Sequence, residues 1–246
     1  MDKFAFQVEP FSEDLTGRLS WDVLGNTLLR VAEKSAITHG FGYGEVHERN
    51  TAWVLSRLLI EMPQMPRSGQ AFNVSTWVAR IYRQFTDRLF AITDNDGTPL
   101  GYATSVWALI DLDTRQPVSL ADYDNPRFHA AMDTQTVPLT PFGRCRVETA
   151  QPVRTIPVMR SDLDINGHVN SIRYMQMAID TIYHAYGDTL DIRRSLPRRV
   201  EMTYASETFY GDTLIAFAGR KDETEYHIMM THGDGTPVVK SIVRFG

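Results

Sequence analysis

The sequence predicts an α+β protein made by duplication, with a helix followed by several antiparallel strands, twice. Two observations carry this reading. The tetrapeptide Asp-Gly-Thr-Pro stands at 96–99 and again at 234–237, an offset of 138 (234 − 96). Each copy lies between two strand-like runs, where Asp-Gly is a hairpin signal. Each half also carries one apolar stripe of helical period ahead of its main strands. Further landmarks recur at similar offsets. Asn26 and Asn170 (170 − 26 = 144) each open an apolar-periodic stretch, and Gly69 and Gly211 (211 − 69 = 142) each fall between two strands.

The first helix starts after Ser20, a residue type that caps helix N-termini. Leu24, Leu28, Val31 and Ala32 form its stripe, and His39-Gly40 ends it. Strands follow at 53–61, 71–82, 88–94 and 100–112. The span 113–150 holds Pro117, Pro126, Pro138 and Pro141 and reads as the connector. In the second half a strand at 154–159 precedes a helix that starts at Asn170 or Ser171 and ends at Gly187. Its stripe is Ile172, Met175, Ile179, Ile182 and Tyr186. Strands at 198–207, 213–220, 225–231 and 237–245 complete it. The expected organisation is an N-terminal domain at 1–130, a connector at 131–150 and a C-terminal domain at 151–246.

The 246 residues suffice for one large domain or two smaller ones. A hydrophobic fraction of 43% and a charged fraction of 22% are ordinary for a globular protein. No apolar run reaches the roughly 20 residues of a membrane span. Met1-Asp2-Lys3-Phe4-Ala5 lacks the start of a secretory signal, so a cytoplasmic location is expected. Cys145 is the one cysteine, which excludes an intramolecular disulfide and metal sites built on several thiolates. No metal or cofactor is expected. A net charge of −5 argues against a nucleic-acid partner. Arg193, Arg194, Arg198 and Arg199 nevertheless cluster within seven residues, with Arg173 nearby. They form either a solvated loop or a docking patch for an acidic partner.

The segment Asp162-Leu163-Asp164-Ile165-Asn166-Gly167-His168-Val169-Asn170 is the most informative stretch. Asp164, Asn166 and His168 stand two apart, so on an extended chain they share a side. A carboxylate, an amide and an imidazole would then meet ahead of a helix N-terminus with its free N–H donors. That set can attack a carbonyl. The same residue types also serve as ordinary turn and capping residues. The halves differ: the region ahead of the first helix, Glu13 to Gly17, has no His or Asn, whereas Trp21, Trp53, Trp77 and Trp107 all lie in the first half. One half reads as the chemical half and the other as packing or pocket wall.

The chain resembles the acyl-acyl carrier protein thioesterases with two hot-dog domains in one chain. In the second half the resemblance rests on Arg160 to Asn170 and on Tyr174. In the first it rests on Trp53-Val54-Leu55-Ser56-Arg57, Pro66 to Gly69, Thr76-Trp77, Ser105-Val106-Trp107 and Asp113-Thr114-Arg115. It implies a tandem double hot-dog, with two antiparallel sheets each wrapped around a long helix. It implies hydrolysis of fatty acyl thioesters on acyl carrier protein, with a catalytic second half and a first half that shapes the acyl pocket. By motif match, Asp164, Asn166 and His168 take the family's catalytic positions, and Glu207 matches an acid on the strand after the second helix. The residue after that acid is often Cys in plant members and is Thr208 here, which argues against a cysteine nucleophile. Plant members carry a plastid transit segment; this chain starts without one and resembles a bacterial member.

The expected mechanism has Glu207 and His168 activating water, Asn166 orienting water or carbonyl, and Asp164 holding the constellation. Backbone N–H groups near Val169 and Asn170 would stabilise the oxyanion. A rival makes Asp164 the nucleophile or base of an acyl-CoA thioesterase. A hot-dog hydratase or dehydratase and a non-catalytic acyl-binding module are the other classes. Trp53, Trp77, Trp107 and Met175 are the expected substrate-binding residues. The partner is acyl carrier protein, docking on Arg193, Arg194, Arg198 and Arg199, and the chain is a monomer or a homodimer.

Overall fold

The computed structural model describes residues 1–120, 126–148 and 151–246, so 121–125 and 149–150 of the expected connector lie outside the described residues. The chain divides into two compact units, Met1–Thr140 and Pro141–Gly246. The first holds β1 (Asp2–Gln7), α1 (Trp21–Thr38), α2 (Tyr43–His47), β2 (Thr51–Glu61), β3 (Ala71–Tyr82), β4 (Phe85–Asp94), β5 (Pro99–Asp111) and α3 (Pro126–Ala130). The second holds β6 (Arg154–Pro157), a 3-10 turn at Arg160–Asp162, α4 (Ser171–Tyr186), β7 (Pro197–Tyr204), β8 (Thr213–Arg220), β9 (Glu225–Thr231) and β10 (Pro237–Phe245).

Strand order is β1-β3-β4-β5-β2 in the first unit and β6-β8-β9-β10-β7 in the second, the same path twice. Neighbours within each unit are antiparallel. The two Asp-Gly-Thr-Pro turns are the β4–β5 and β9–β10 hairpins, with Gly97 at φ 85° and Gly235 at φ 88°. Positive φ is the reason glycine stands there. One proposed landmark fails. Asn26 sits inside α1, its amide donating to Asp22 O at 2.9 Å. The counterpart of Asn170, which caps α4 through Oδ1 and the Ile172 N–H at 2.8 Å, is Ser20. Ser20 occupies the N-cap position of α1 without making the side-chain bond.

Each helix buries one face against its sheet. On α1 the buried face is Leu24, Gly25, Thr27, Leu28, Val31, Ala32, Ser35 and Ala36, at helical spacing. Each fully buried Leu or Val there contributes about 1.5–3 kcal/mol. The helix ends in a Schellman motif: Phe41 N–H donates to Ala36 O and Gly40 N–H, at φ 72°, to Ile37 O. On α4 the buried face is Ile172, Tyr174, Met175, Met177, Ala178, Thr181 and Ile182, and it packs on β7, β8, β9 and β10. Ile179 and Tyr186, expected in the stripe, are half-buried at its margin. The α1 layer also holds a buried cation. Arg88 of β4 donates to Ser35 Oγ (3.0 Å) and Thr76 Oγ1 (3.2 Å). Burial brings its guanidinium down to about 10, against the opposing charges of Asp2 and Glu33.

The expected connector is shared between the units. Val78 N–H donates to Ala131 O and Asp133 N–H to Val78 O, which ties 131–133 to β3. Residues 141–148 run along the second sheet instead, where Gly143 N–H meets Glu201 Oε2 at 2.7 Å and Arg146 N–H meets His227 Nδ1 at 3.0 Å. Under that strap Glu225 accepts from Lys221 Nζ (2.7 Å), His227 Nε2 (2.9 Å) and Arg244 Nε. Burial alone would raise the Glu225 carboxyl, but these bonds outweigh it and bring it down to about 2. Its folded value lies below the unfolded value near 4.5, so its stabilisation is complete above pH 4.5 and is lost as pH falls toward 2. Thermal melts are expected to show a Tm that declines over that window, and Glu225→Gln flattens the decline.

Candidate active site

The Asp164–His168 segment is a tight turn, not an extended strand. Asp164 N–H donates to His168 O at 2.8 Å and Gly167 N–H, at φ 78°, to Asp164 O at 3.1 Å. The Asp164 carboxylate faces back into the turn, where Oδ1 accepts from the N–H groups of Asn166 (2.8 Å) and His168 (3.3 Å). The first unit has the same turn. Asp14 Oδ1 accepts from Thr16 N–H (2.7 Å) and Arg18 N–H (3.3 Å), and Asp14 N–H donates to Arg18 O at 2.7 Å. The offset is 150 (164 − 14), so Asp164, Asn166, Gly167 and His168 correspond to Asp14, Thr16, Gly17 and Arg18. Asp164 therefore has a structural role that its chemically silent twin shares.

Glu207 meets His168 from another element. The expected strand 198–207 ends at Tyr204. Ala205 N–H still meets Val238 O in register, but Ser206 N–H falls back on that same carbonyl and Ser206 Oγ–H turns to Pro237 O, which ends the ladder. Glu207 thus lies on the loop before the Phe209–Asp212 turn and not on the strand. Its Oε1 stands 3.4 Å from His168 Nδ1, with both side chains partly exposed, 37% and 26%. That distance is slightly long for a hydrogen bond, as catalytic contacts often are without substrate. The imidazole is held edge-on to Phe209, centroids 5.0 Å apart at 85°. Asn166 is exposed at the turn tip, with its backbone N–H engaged by Asp164. In the first unit Leu19 N–H donates to Pro66 O where in the second Val169 N–H donates to Thr208 O. Thr208 thus corresponds to Pro66, and Glu207 to Met65.

The helix-start donors expected for the oxyanion are already used. Val169 N–H bonds Thr208 O at 3.0 Å and Asn170 N–H bonds Asp162 O at 2.9 Å. Two further hydroxyls belong to this region, on Thr208 next to Glu207 and on Tyr174 of α4. Tyr174 Oη and Thr208 Oγ1 are buried and neither makes an aligned hydrogen bond. Their signal was available in the sequence, as polar side chains at positions that are Leu24 and Pro66 in the first half. Cys145 is no nucleophile. Its thiol faces Ile228 O and Ser241 O at 3.4 Å each, and burial pushes it up to about 11.

The other expected site residues separate. Trp53 and Trp107 lie on the α1 side of their sheet, Trp53 donating to Phe41 O (3.0 Å) and Trp107 to Ser105 Oγ (2.8 Å). Trp77 projects from the opposite face and donates to Gln135 O at 3.0 Å, so it does not share a wall with them. Met175 is fully buried in the α4–sheet layer. Among the arginines, Arg193 and Arg194 are exposed and Arg198 is half-buried. Arg199 is a correction: it is 3% exposed, its Nε 2.8 Å from Glu201 Oε1 and its Nη2 donating to Pro141 O. It sits on the β7 face opposite α4, covered by Pro141 and Gly143, and offers no docking surface.

Comparison with known proteins follows the same two-part division. The acyl-ACP thioesterase N-terminal domain model matches residues 2–123, and the C-terminal domain model matches 146–245. The crystal structure of an acyl-ACP thioesterase from Bacteroides thetaiotaomicron superposes with a TM-score of 0.87 at 41% identity, covering 100% of this chain and 97% of that one. The 12:0-ACP thioesterase from Umbellularia californica shares the fold, TM-score 0.85 at 18% identity, covering 100% and 96%. An acyl-(acyl-carrier-protein) hydrolase, chloroplastic, of Cuphea viscosissima is 26% identical over 226 residues, 78% of this chain and 55% of that protein. The chain spans about half the length of the curated relatives it matches. The expected tandem double hot-dog is the fold observed.

Proposed function

Because the chain belongs to the acyl-ACP thioesterase family, we propose that it hydrolyses fatty acyl thioesters of acyl carrier protein to free fatty acid and holo-carrier protein. The observation that carries this reading is the His168–Glu207 pair, 3.4 Å apart, at positions that are Arg18 and Met65 in the duplicate. Glu207 and His168 take the proton of a water as its oxygen bonds the thioester carbon. The C–S bond then breaks and His168 returns the proton to the departing thiolate. Asn166, at the exposed turn tip, orients the water or the carbonyl. Asp164 holds the turn and so places His168. The second unit is the catalytic half, and the first shapes the acyl pocket.

For the acyl chain, Trp53 and Trp107, on the α1 side of the first unit's sheet, are the wall residues; in the second unit Met175, buried on α4, is the counterpart. Carrier-protein docking falls to Arg193, Arg194 and Arg198. The chain acts as a monomer or homodimer in the cytoplasm. Among the described residues no helix is long and apolar enough to cross a membrane. The nucleophilic role for Asp164 is disfavoured because Oδ1 is engaged by two N–H groups, as in Asp14.

The test is hydrolysis of a panel of medium- to long-chain acyl carrier protein thioesters by wild type and His168→Ala. Free acid from wild type and its loss in the variant are expected. A product that keeps its thioester would instead mark a hydratase, and no reaction with any substrate would mark a binding module.

A further inference from the structure

The proposed reaction needs the Glu207 carboxylate held against His168. Two groups are placed to hold it there. Thr208 follows Glu207 directly and is fully buried, while Tyr174, on the first turn of α4, is 4% exposed. Neither hydroxyl makes an aligned hydrogen bond, although the Thr208 hydroxyl is close enough to Tyr174 to pull its phenol down. An unsatisfied buried hydroxyl is destabilising, and native structures hold few of them. Tyr174 lies within range of the site's charges. Burial pushes its phenol up to about 12, the adjacent Thr208 hydroxyl opposes this, and the charges of Asp212, Glu207 and Asp164 add to it.

The duplication supplies an internal control. At an offset of 150 (174 − 24), Tyr174 corresponds to Leu24, which is fully buried, and Thr208 corresponds to Pro66 through the shared backbone bond. The same fold at the same two places is thus satisfied by apolar side chains. The hydroxyls are not required by the packing of the unit. They occur only in the copy that carries His168 and Glu207, with Thr208 next to Glu207 in the chain and Tyr174 within reach of the Glu207 and Asp164 charges.

We propose that Tyr174 and Thr208 form a hydroxyl relay that positions Glu207 for the hydrolysis proposed above. The Tyr174 O–H donates to Thr208 Oγ1, and the Thr208 O–H donates to the Glu207 carboxylate as it closes on His168. One hydroxyl can donate one hydrogen bond and accept two, so each group is satisfied in that closed arrangement. The resting state, with Glu207 partly exposed, leaves both orphaned. These are positioning residues, since neither hydroxyl is open to substrate. The inference rests on the thioesterase reading.

The test uses Tyr174→Phe, Thr208→Val, the double variant and Thr208→Ser. The first two remove a hydroxyl with almost no change in volume. Turnover of acyl carrier protein thioester is expected to fall about 10-fold or more in each, the scale of one hydrogen bond to a charged group. KM is expected to stay within about twofold. Tm should hold or rise by about 2–4 °C, because an orphaned polar group has been removed. The double variant should lose no more turnover than the worse single one, and Thr208→Ser should recover most of the loss. Full turnover in both single variants, additive losses, or a Tm that falls in step with activity would overturn the relay. A wild type with no hydrolase activity on the panel would overturn the functional reading itself, and the relay with it. An active wild type with unaffected variants overturns the relay alone.

Discussion

Glu207→Gln is expected to lower kcat on acyl carrier protein thioesters by at least about 100-fold, the usual scale of general acid–base help. The substitution keeps size and hydrogen-bonding shape but removes the carboxylate facing His168 at 3.4 Å. Asp164→Asn discriminates between the two mechanisms. Asn retains a carbonyl oxygen that can accept from Asn166 N–H and His168 N–H, so the turn survives and the loss stays under about 10-fold. A nucleophilic Asp164 would make that same change nearly complete in its effect, because an amide cannot form the anhydride. Asp164→Ala should be worse than Asp164→Asn. It releases the turn and misplaces His168, and a 1 Å error in a catalytic group costs on the order of 100-fold. Asp14→Ala is the control. It opens the equivalent turn in the first unit, costs about 1 kcal/mol of stability and leaves kcat unchanged. A Glu207→Gln enzyme with near wild-type kcat would refute the base assignment.

Arg199→Ala is expected to destabilise the fold by about 3–5 kcal/mol, the cost of leaving a buried charge without its partner. The stranded group is Glu201, 4% exposed, whose other oxygen already accepts from Gly143 N–H at the start of the strap. Chemical denaturation would show the loss as a lower midpoint with an unchanged slope. The double reversal Arg193→Glu and Arg194→Glu should behave in the opposite manner. Both side chains are exposed, so stability should shift by less than about 0.5 kcal/mol. KM for the acidic carrier-bound substrate should rise at low salt and return toward wild type at high salt. An unchanged KM at low salt would remove these arginines from docking.

Much of the fold was legible because both repeats announce themselves locally. The stripe Leu24, Leu28, Val31, Ala32 is a helix signal readable within one window, and the two Asp-Gly-Thr-Pro hairpins demand positive φ at Gly97 and Gly235. What escaped was short or conditional. β1 sets the charged Asp2 on the same half-buried face as Phe4 and Phe6, which blurs its alternation, and α2 spans Tyr43–His47, little more than one helical turn. Strand β7 was read three residues too far because Ala205-Ser206-Glu207 shows no break in sequence. The break comes at Ser206, whose N–H shares the Val238 carbonyl already taken by Ala205 and whose Oγ–H is captured by Pro237 O on the neighbouring strand.

The site divides along the same line. The residue types and their spacing pointed to Asp164, Asn166 and His168, and the resemblance added Glu207. Their duties were a matter of tertiary structure. A carboxylate in a sequence does not say whether it meets its own turn; in the structure Asp164 Oδ1 accepts from the N–H groups of Asn166 and His168. Helix-start N–H groups look available until Thr208 O and Asp162 O are found on them. Four nearby arginines look alike as letters, yet Arg199 lies on β7 beside Glu201 under Pro141 and Gly143, whereas Arg193 and Arg194 lie exposed on the turn before that strand. By itself the sequence determined the periods, the turns and the duplication, because backbone sterics and apolar spacing act within a few residues. Tertiary structure alone decided which groups meet across the chain and which donors are already taken, because hydrogen bonds and burial are settled between segments far apart in sequence.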